Sequence, residues 1–231
     1  MLANTLLAVA ASALALGAIP ALAGPVLAER ETNIKCGKPL AHAVLTQTGP
    51  SGVRRPAEFQ GAKDSKGRLQ LSTSLNGQAA SGKYEFEFVP CNSTVLPSGT
   101  KYYADSYLEQ YGQVRLKADR TQCLTATRLN NADAPAALVR APCQQVDNSG
   151  LNAQWFSATY SSPGSTTSYD VHLVGNGQRG GPKGYYTFKN VAKGGARLVE
   201  TLFVPGSSRD SNAEYPYADE EYTVQFLTPP Q

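Results

Sequence analysis

Seven short runs of alternating or apolar residues, each bounded by Gly, Pro, Asn or Ser, set the strongest limit on what this 231-residue chain folds into. They lie at 68–73 (RLQLST), 84–89 (YEFEFV), 113–118 (QVRLKA), 169–174 (YDVHLV), 185–191 (YYTFKNV), 196–204 (ARLVETLFV) and 222–227 (YTVQFL). Alternation with a period of two puts successive side chains on opposite faces of an extended strand, and the helical period of about 3.6 is nearly absent. With 21 glycines and 15 prolines punctuating the runs, the pattern predicts an all-β sandwich or barrel. One helical turn is expected where Ser106 and Glu109 have capping-box spacing and Gly112 follows as a stop.

Residues 1–23 are an apolar run without a charged side chain, ending in Ala21-Leu22-Ala23 before Gly24, the small-x-small pattern a signal peptidase accepts. They predict a cleaved signal peptide, 1–23, and a single exported domain, 24–231. A membrane anchor is the alternative, disfavoured by Pro20 and by a length that barely spans a bilayer. All four cysteines follow the cleavage point, and an even number in an exported chain reads as two disulfides with three possible pairings. There is no CxxC, and neither His42 nor His172 stands near a cysteine, so neither a metal site nor a cofactor is expected. The net charge of +3 is made of mixed signs, and Arg54-Arg55 is the only tight basic pair. That distribution points away from nucleic acid and membrane surfaces, which need clustered Lys and Arg.

The stretch 122–156, QCLTATRLNNADAPAALVRAPCQQVDNSGLNAQWF, holds two cysteines and the only tryptophan. Its Cys123-Leu124, its second Cys143, the Asn-rich turn and Asn152-x-x-Trp155 together resemble one subdomain of the ricin B-type β-trefoil lectins. The resemblance implies a β-trefoil, three pseudo-repeats of short antiparallel strands, with Trp155 packed in the core. It also implies a Cys123–Cys143 bridge, leaving Cys36 with Cys91; the smaller loop should contribute roughly 3 kcal/mol through the unfolded state. A weak internal repeat favours the trefoil over the alternative β-sandwich: strand-like segments end in an aromatic at Phe88, Trp155 and Phe226, 67 and 71 residues apart.

Few residue patterns support catalysis. Residues 175–180 match GxGxxG, and Glu200 lies at the distance of a ribose-binding acid. The following Gly-Gly-Pro-Lys-Gly cannot start the helix a dinucleotide site needs, so the segment reads as a hairpin loop. No GxSxG or HExxH occurs. Glu85 and Glu87 should share one face of a strand whose other face carries aromatics, the pattern of a half-solvated strand rather than a glycosidase pair. The chain is therefore read as a non-enzyme.

Carbohydrate binding is what the resemblance implies. In ricin-type sites an Asp directly after Cys-Leu accepts sugar hydroxyls, an aromatic before the second Cys stacks on the ring, an Asn three before the Trp adds a contact, and a Gln two before it supports the fold. Here Thr125 replaces the Asp, no aromatic lies between Thr125 and Cys143, Asn152 matches the Asn, and Ala153 stands at the Gln position with Gln154 one place later. The central unit should therefore not bind simple sugars. Asp170 with Tyr185 and Tyr186 is the alternative sugar site, offering an acceptor and an aromatic surface; Tyr102, Tyr103, Tyr107 and Tyr111 form a second aromatic cluster. The partner is thus a glycan or, in a degenerate trefoil acting as a protease inhibitor or surface interaction protein, an extracellular protein met by the loops 159–168 and 205–219. Asn92-Ser93-Thr94 is the only glycosylation sequon in the chain. Intact mass of the exported protein should begin near Gly24 and show no thiol that alkylates without reduction; four alkylated cysteines in the native protein would remove the disulfide reading.

Overall fold

The computed structural model describes residues 32–103, 107–129, 133–161, 168–175, 184–205 and 223–227. Residues 1–23, expected to be a signal peptide, the glycine-rich residues 176–183 and most of the two segments considered for protein contact lie outside these residues. The described chain is all-β. In order it forms β1 (Lys35–Cys36), β2 (Ala41–Thr48), β3 (Arg54–Pro56), β4 (Ser72–Leu75), β5 (Gln78–Ala79), β6 (Glu85–Asn92), β7 (Thr100–Tyr103), β8 (Tyr107–Leu116), β9 (Gln122–Ala126) and β10 (Ala136–Pro142). A short 3-10 helix (Ser149–Gln154) precedes β11 (Phe156–Ser161), β12 (Ser168–Leu173), β13 (Gly184–Lys193), β14 (Ala196–Pro205) and β15 (Thr223–Leu227).

Six of these strands close into an antiparallel barrel in the order β2-β6-β8-β11-β12-β15, with β15 returning to β2 through Phe226↔Leu45. Period-two alternation turns two residues of each barrel strand inward: Ala43 and Leu45, Phe86 and Phe88, Val114 and Leu116, Phe156 and Ala158, Val171 and Leu173, Val224 and Phe226. These twelve side chains are buried and fill the interior, each large one contributing about 1.5–3 kcal/mol. Every barrel-strand pair in chain order brackets a hairpin excursion: β4–β5 between β2 and β6, β9–β10 between β8 and β11, β13–β14 between β12 and β15. The three excursions meet at Leu71, Leu138 and Val199, where Leu71 N–H donates to the Leu138 carbonyl (2.8 Å) and Val199 N–H to that of Leu71 (2.9 Å).

Two expectations are corrected here. No helical turn forms around Glu109, which lies in β8, because that strand is hydrogen-bonded to β6, β7 and β11; backbone pairing over ten residues outweighs one capping-box spacing. Gly112 is accordingly a close-approach residue and not a helix stop: a Cβ there would collide with the Val89 carbonyl oxygen and Pro90 Cα on β6. Glu85 and Glu87 do share the outer face of β6, but only Glu85 is half-exposed; Glu87 is buried beneath Arg120, whose Nε and Nη2 donate to its two oxygens at 2.8 Å each.

Both implied disulfides are present, Cys36–Cys91 and Cys123–Cys143. Trp155 is buried as expected, yet not in a strand and not in the barrel. It ends the 3-10 helix and packs in a second, smaller cluster with Ile34, Val89, Cys91, Leu96, Tyr111 and Leu151, outside the β6–β8 wall. The aromatic that enters the barrel from this segment is its neighbour Phe156, so the internal repeat is carried by Phe88, Phe156 and Phe226, 68 and 70 residues apart. The Trp155 Nε1–H donates to the Pro97 carbonyl at 2.8 Å, tying the 93–98 turn to the cluster. Trp155→Ala should cost roughly 3–5 kcal/mol in urea denaturation; an unchanged midpoint would show that the second cluster carries no stability.

Candidate functional site

In the central unit, the residue standing where the ricin-type pattern has its sugar-binding Asp is engaged within the protein. Thr125 is buried; its hydroxyl donates to the Cys123 carbonyl (3.3 Å) and accepts from Gln154 Nε2 (3.0 Å). Gln154 also donates to the Pro142 carbonyl (2.8 Å) and accepts the Gln144 N–H (2.7 Å), fastening β9, β10 and the 3-10 helix together. This is the fold-supporting role the pattern gives to a Gln two residues before its aromatic. Counted from Phe156 instead of Trp155, Gln154 stands in that place. Asn152 sits in the 3-10 helix with its Oδ1 buried and without a hydrogen-bond partner.

The alternative set does not assemble into one surface. Asp170, half-buried on β12, accepts from Gln225 Nε2 across the β12–β15 pair at 2.7 Å. Tyr186 is a core residue whose ring packs on Phe203 (centroids 5.2 Å apart) and against Gly175. Tyr185, half-buried, precedes it on β13 and therefore faces the other way.

Asp147 is a functional-looking residue that the sequence reading missed. It is buried and accepts hydrogen bonds from the Ser93 hydroxyl (2.5 Å), the Thr94 N–H (2.6 Å) and the Thr94 hydroxyl (2.8 Å), while Ser93 Oγ caps the Val95 and Leu96 N–H groups. Burial opposes its charge, but the hydrogen bonds from Ser93, Thr94 and Val95 outweigh it and hold the carboxyl below the ordinary carboxylate range. The sequon turn is thus pinned by a residue more than fifty positions away, which no local pattern announces. Asn92 itself is exposed at the end of β6.

The outer side of β6 and the neighbouring β8–β10 hairpin carry paired charges. Besides Glu87–Arg120, Glu85 meets Lys117 at 2.6 Å and Asp119 meets Arg140 at 3.0 Å. Arg115 Nη2 lies 3.1 Å from Cys36 Sγ and 2.8 Å from Gln113 Oε1. Burial lowers the Arg115 pKa, Glu87 working in the opposite direction.

Hollows open on the surface of the described residues. One of about 370 Å³ lies between the β4–β5 and β13–β14 turns, bordered by Ser74, Gly77, Lys193 and Arg197. Another, a groove of about 160 Å³, runs between β1, β6, β7 and β8, bordered by Lys35, Asn92, Thr100, Gln110 and Tyr111. Next to it the Lys101 ammonium sits 5.0 Å above the Tyr111 ring. No protein-family model, curated protein or solved structure matches the chain.

Because the Asp147 carboxyl is depressed, the stability it contributes is present above the unfolded value of about 3.9 and is lost as pH falls through the lower folded value. Asp147→Asn should lower stability at pH 7 by about 1–3 kcal/mol, and the gap to the parent should shrink at pH 3. Thermal melts of the two proteins at both pH values check this; a gap that is the same at pH 3 would show that charge has no part in the clamp.

Proposed function

We propose that the chain is an exported β-trefoil module of ricin B type that binds carbohydrate on its outer surface without catalysing a reaction. The observation that carries this reading is the connectivity: three successive pairs of barrel strands, each bracketing a hairpin, with the three hairpins joined at Leu71, Leu138 and Val199. The Cys123–Cys143 bridge and the Gln154-x-Phe156 arrangement add the central unit's details. Export is supported by the two disulfides, and no helix among the described residues is long and apolar enough to cross a membrane.

Binding is assigned to the surface because the barrel interior is occupied by the twelve inward side chains. A non-catalytic role is favoured by the state of the carboxylates on β6: Glu85 and Glu87 are each neutralised by a cation of the same protein, whereas a glycosidase pair must keep one carboxyl free to donate a proton and the other free to attack or to activate water. The central unit is not the binding unit, since Thr125 offers a single hydroxyl already held by Cys123 and Gln154. Neutral hydrogen bonds exchanged with water yield only about 0.5–1.5 kcal/mol each, too little to hold a sugar without a stacking surface.

A glycan array probed with the exported protein should show binding to at least one class of saccharide, and Asn152→Ala should leave that binding unchanged. A protein that binds no saccharide overturns the reading in favour of protein contacts, and loss of binding in Asn152→Ala would return the sugar site to the central unit.

A further inference from the structure

Asn92-Ser93-Thr94 is an acceptor sequence for an Asn-linked glycan, and the folded chain presents its parts unequally. Asn92 is exposed at the end of β6, so a glycan on its amide leaves the core undisturbed. Thr94 is exposed as well, but its hydroxyl, the second group an acceptor sequence must offer, is engaged: Oγ1 donates to Asp147 Oδ2 at 2.8 Å, and the Thr94 N–H donates to the same oxygen. Ser93 Oγ donates to the other Asp147 oxygen. The flanks are fastened too. Backbone pairing sets Asn92 opposite Lys35, the Cys36–Cys91 bridge closes one residue before it, and the turn beyond is held by buried Leu96 and by the bond from Trp155 to the Pro97 carbonyl. An enzyme that must draw this segment into its own site reaches only the molecules in which the turn has opened.

Chain order leaves the turn open at first. Asp147 follows Thr94 by 53 residues, and Trp155 follows Pro97 by 58. At roughly 5–20 residues per second, the partners that close the turn are made about 3–10 s after the acceptor sequence.

We propose that Asn92 is a glycosylation site with a time limit: it is modified while the chain is exported through a eukaryotic secretory pathway, and closure of Asp147 on Ser93 and Thr94 ends its reactivity. In the transfer, the Asn92 side-chain nitrogen bonds to the anomeric carbon of a lipid-linked glycosyl diphosphate. The anomeric C–O bond breaks, the lipid diphosphate departs with the electron pair, and the amide gives up one proton to the transferase. The proposal rests on the export part of the reading above and is independent of whether the protein binds a saccharide.

The full chain is secreted from a eukaryotic host, where recovery from the medium tests export by itself and the mass of the recovered protein tests the site. It should carry a glycan on Asn92. The same chain, folded and unglycosylated from a bacterial periplasm without such a transferase, is then given a eukaryotic transferase and its lipid-linked donor. Transfer to the folded protein should be at least tenfold slower than to the same protein reduced, alkylated and unfolded. Ser93→Ala keeps the Asn-x-Thr acceptor while removing one Asp147 bond and the caps on the Val95 and Leu96 N–H groups. Asp147→Asn leaves the acceptor sequence untouched. Each variant, in its folded form and normalised to its own unfolded chain, should be modified several-fold faster than the parent. Val224→Ala, a barrel-core change outside the clamp, should stay at the parent's rate when compared at an equal margin below its melting temperature. Secreted parent without a glycan on Asn92, equal transfer to folded and unfolded parent, or a Val224→Ala rate as high as that of the clamp variants overturns the proposal.

Discussion

Closure of the barrel between β6 and β8 is the constraint on which the remaining structure depends. Where the two strands cross, Gly112 lies against the Val89 carbonyl and Pro90 with no room for a Cβ. That approach sets the register Phe88↔Val114, which turns Phe86, Phe88, Val114 and Leu116 into a common interior. It also sets the opposite faces: Val89 and Cys91 on β6 and Tyr111 on β8 are turned out together and become the floor for Trp155, Leu151 and Leu96. One backbone contact thus organises an inner and an outer core. The Cys36–Cys91 bridge then joins β1 to the outer side of the same wall.

A barrel whose inside is filled by side chains has only its outer surface to offer a partner, and there the polar groups fall into two kinds. Most are satisfied internally: Gln154 clamps a hairpin, Asp147 pins a turn, Gln47 and Asn190 bond each other at 2.6 Å to hold β13 on β2, and Glu87 is closed off by Arg120. These are stabilising networks, in which a buried polar group is tolerated because each donor and acceptor is used. The second kind is rarer: among the described residues Thr48 Oγ1, Gln110 Oε1, Asn152 Oδ1 and Thr201 Oγ1 are buried without a hydrogen-bond partner.

Much of the strand content was legible. The runs at 84–89, 169–174, 185–191 and 196–204 and the described part of the last run, 223–227, each fall on a strand to within a residue, because alternation reports which side chains face the core and holds whatever partner the strand finds. The run at 68–73 was only half legible. Leu69, Gln70 and Leu71 make single bridges and isolated hydrogen bonds, and continuous pairing begins at Ser72, since this segment crosses the junction of three hairpins. The start of β8 misled because Ser106 and Glu109 imitate a helix cap, while two of the strand's three pairing partners, β6 and β11, lie well away in sequence. The central aromatic was read one place early. Trp155 and Phe156 are adjacent, and no local property says which of two neighbouring rings enters the barrel and which the outer cluster.

The amino-acid sequence by itself determined the β class, the inward and outward faces of most strands, the even cysteine count that makes two bridges possible, and the burial of the tryptophan. These depend on residues one or two positions apart, or on composition, and survive any arrangement of the strands. Only the tertiary structure decided that six strands close, that Gly112 is where they touch, that Tyr186 is core and Asp170 paired, that Asp147 holds the sequon turn, and that Lys35, Asn92, Thr100 and Gln110 border one groove. Each of those facts is a coincidence in space between residues on different strands, set by register and barrel stagger. A shift of one residue in any ladder would have exchanged the faces and dispersed the groove.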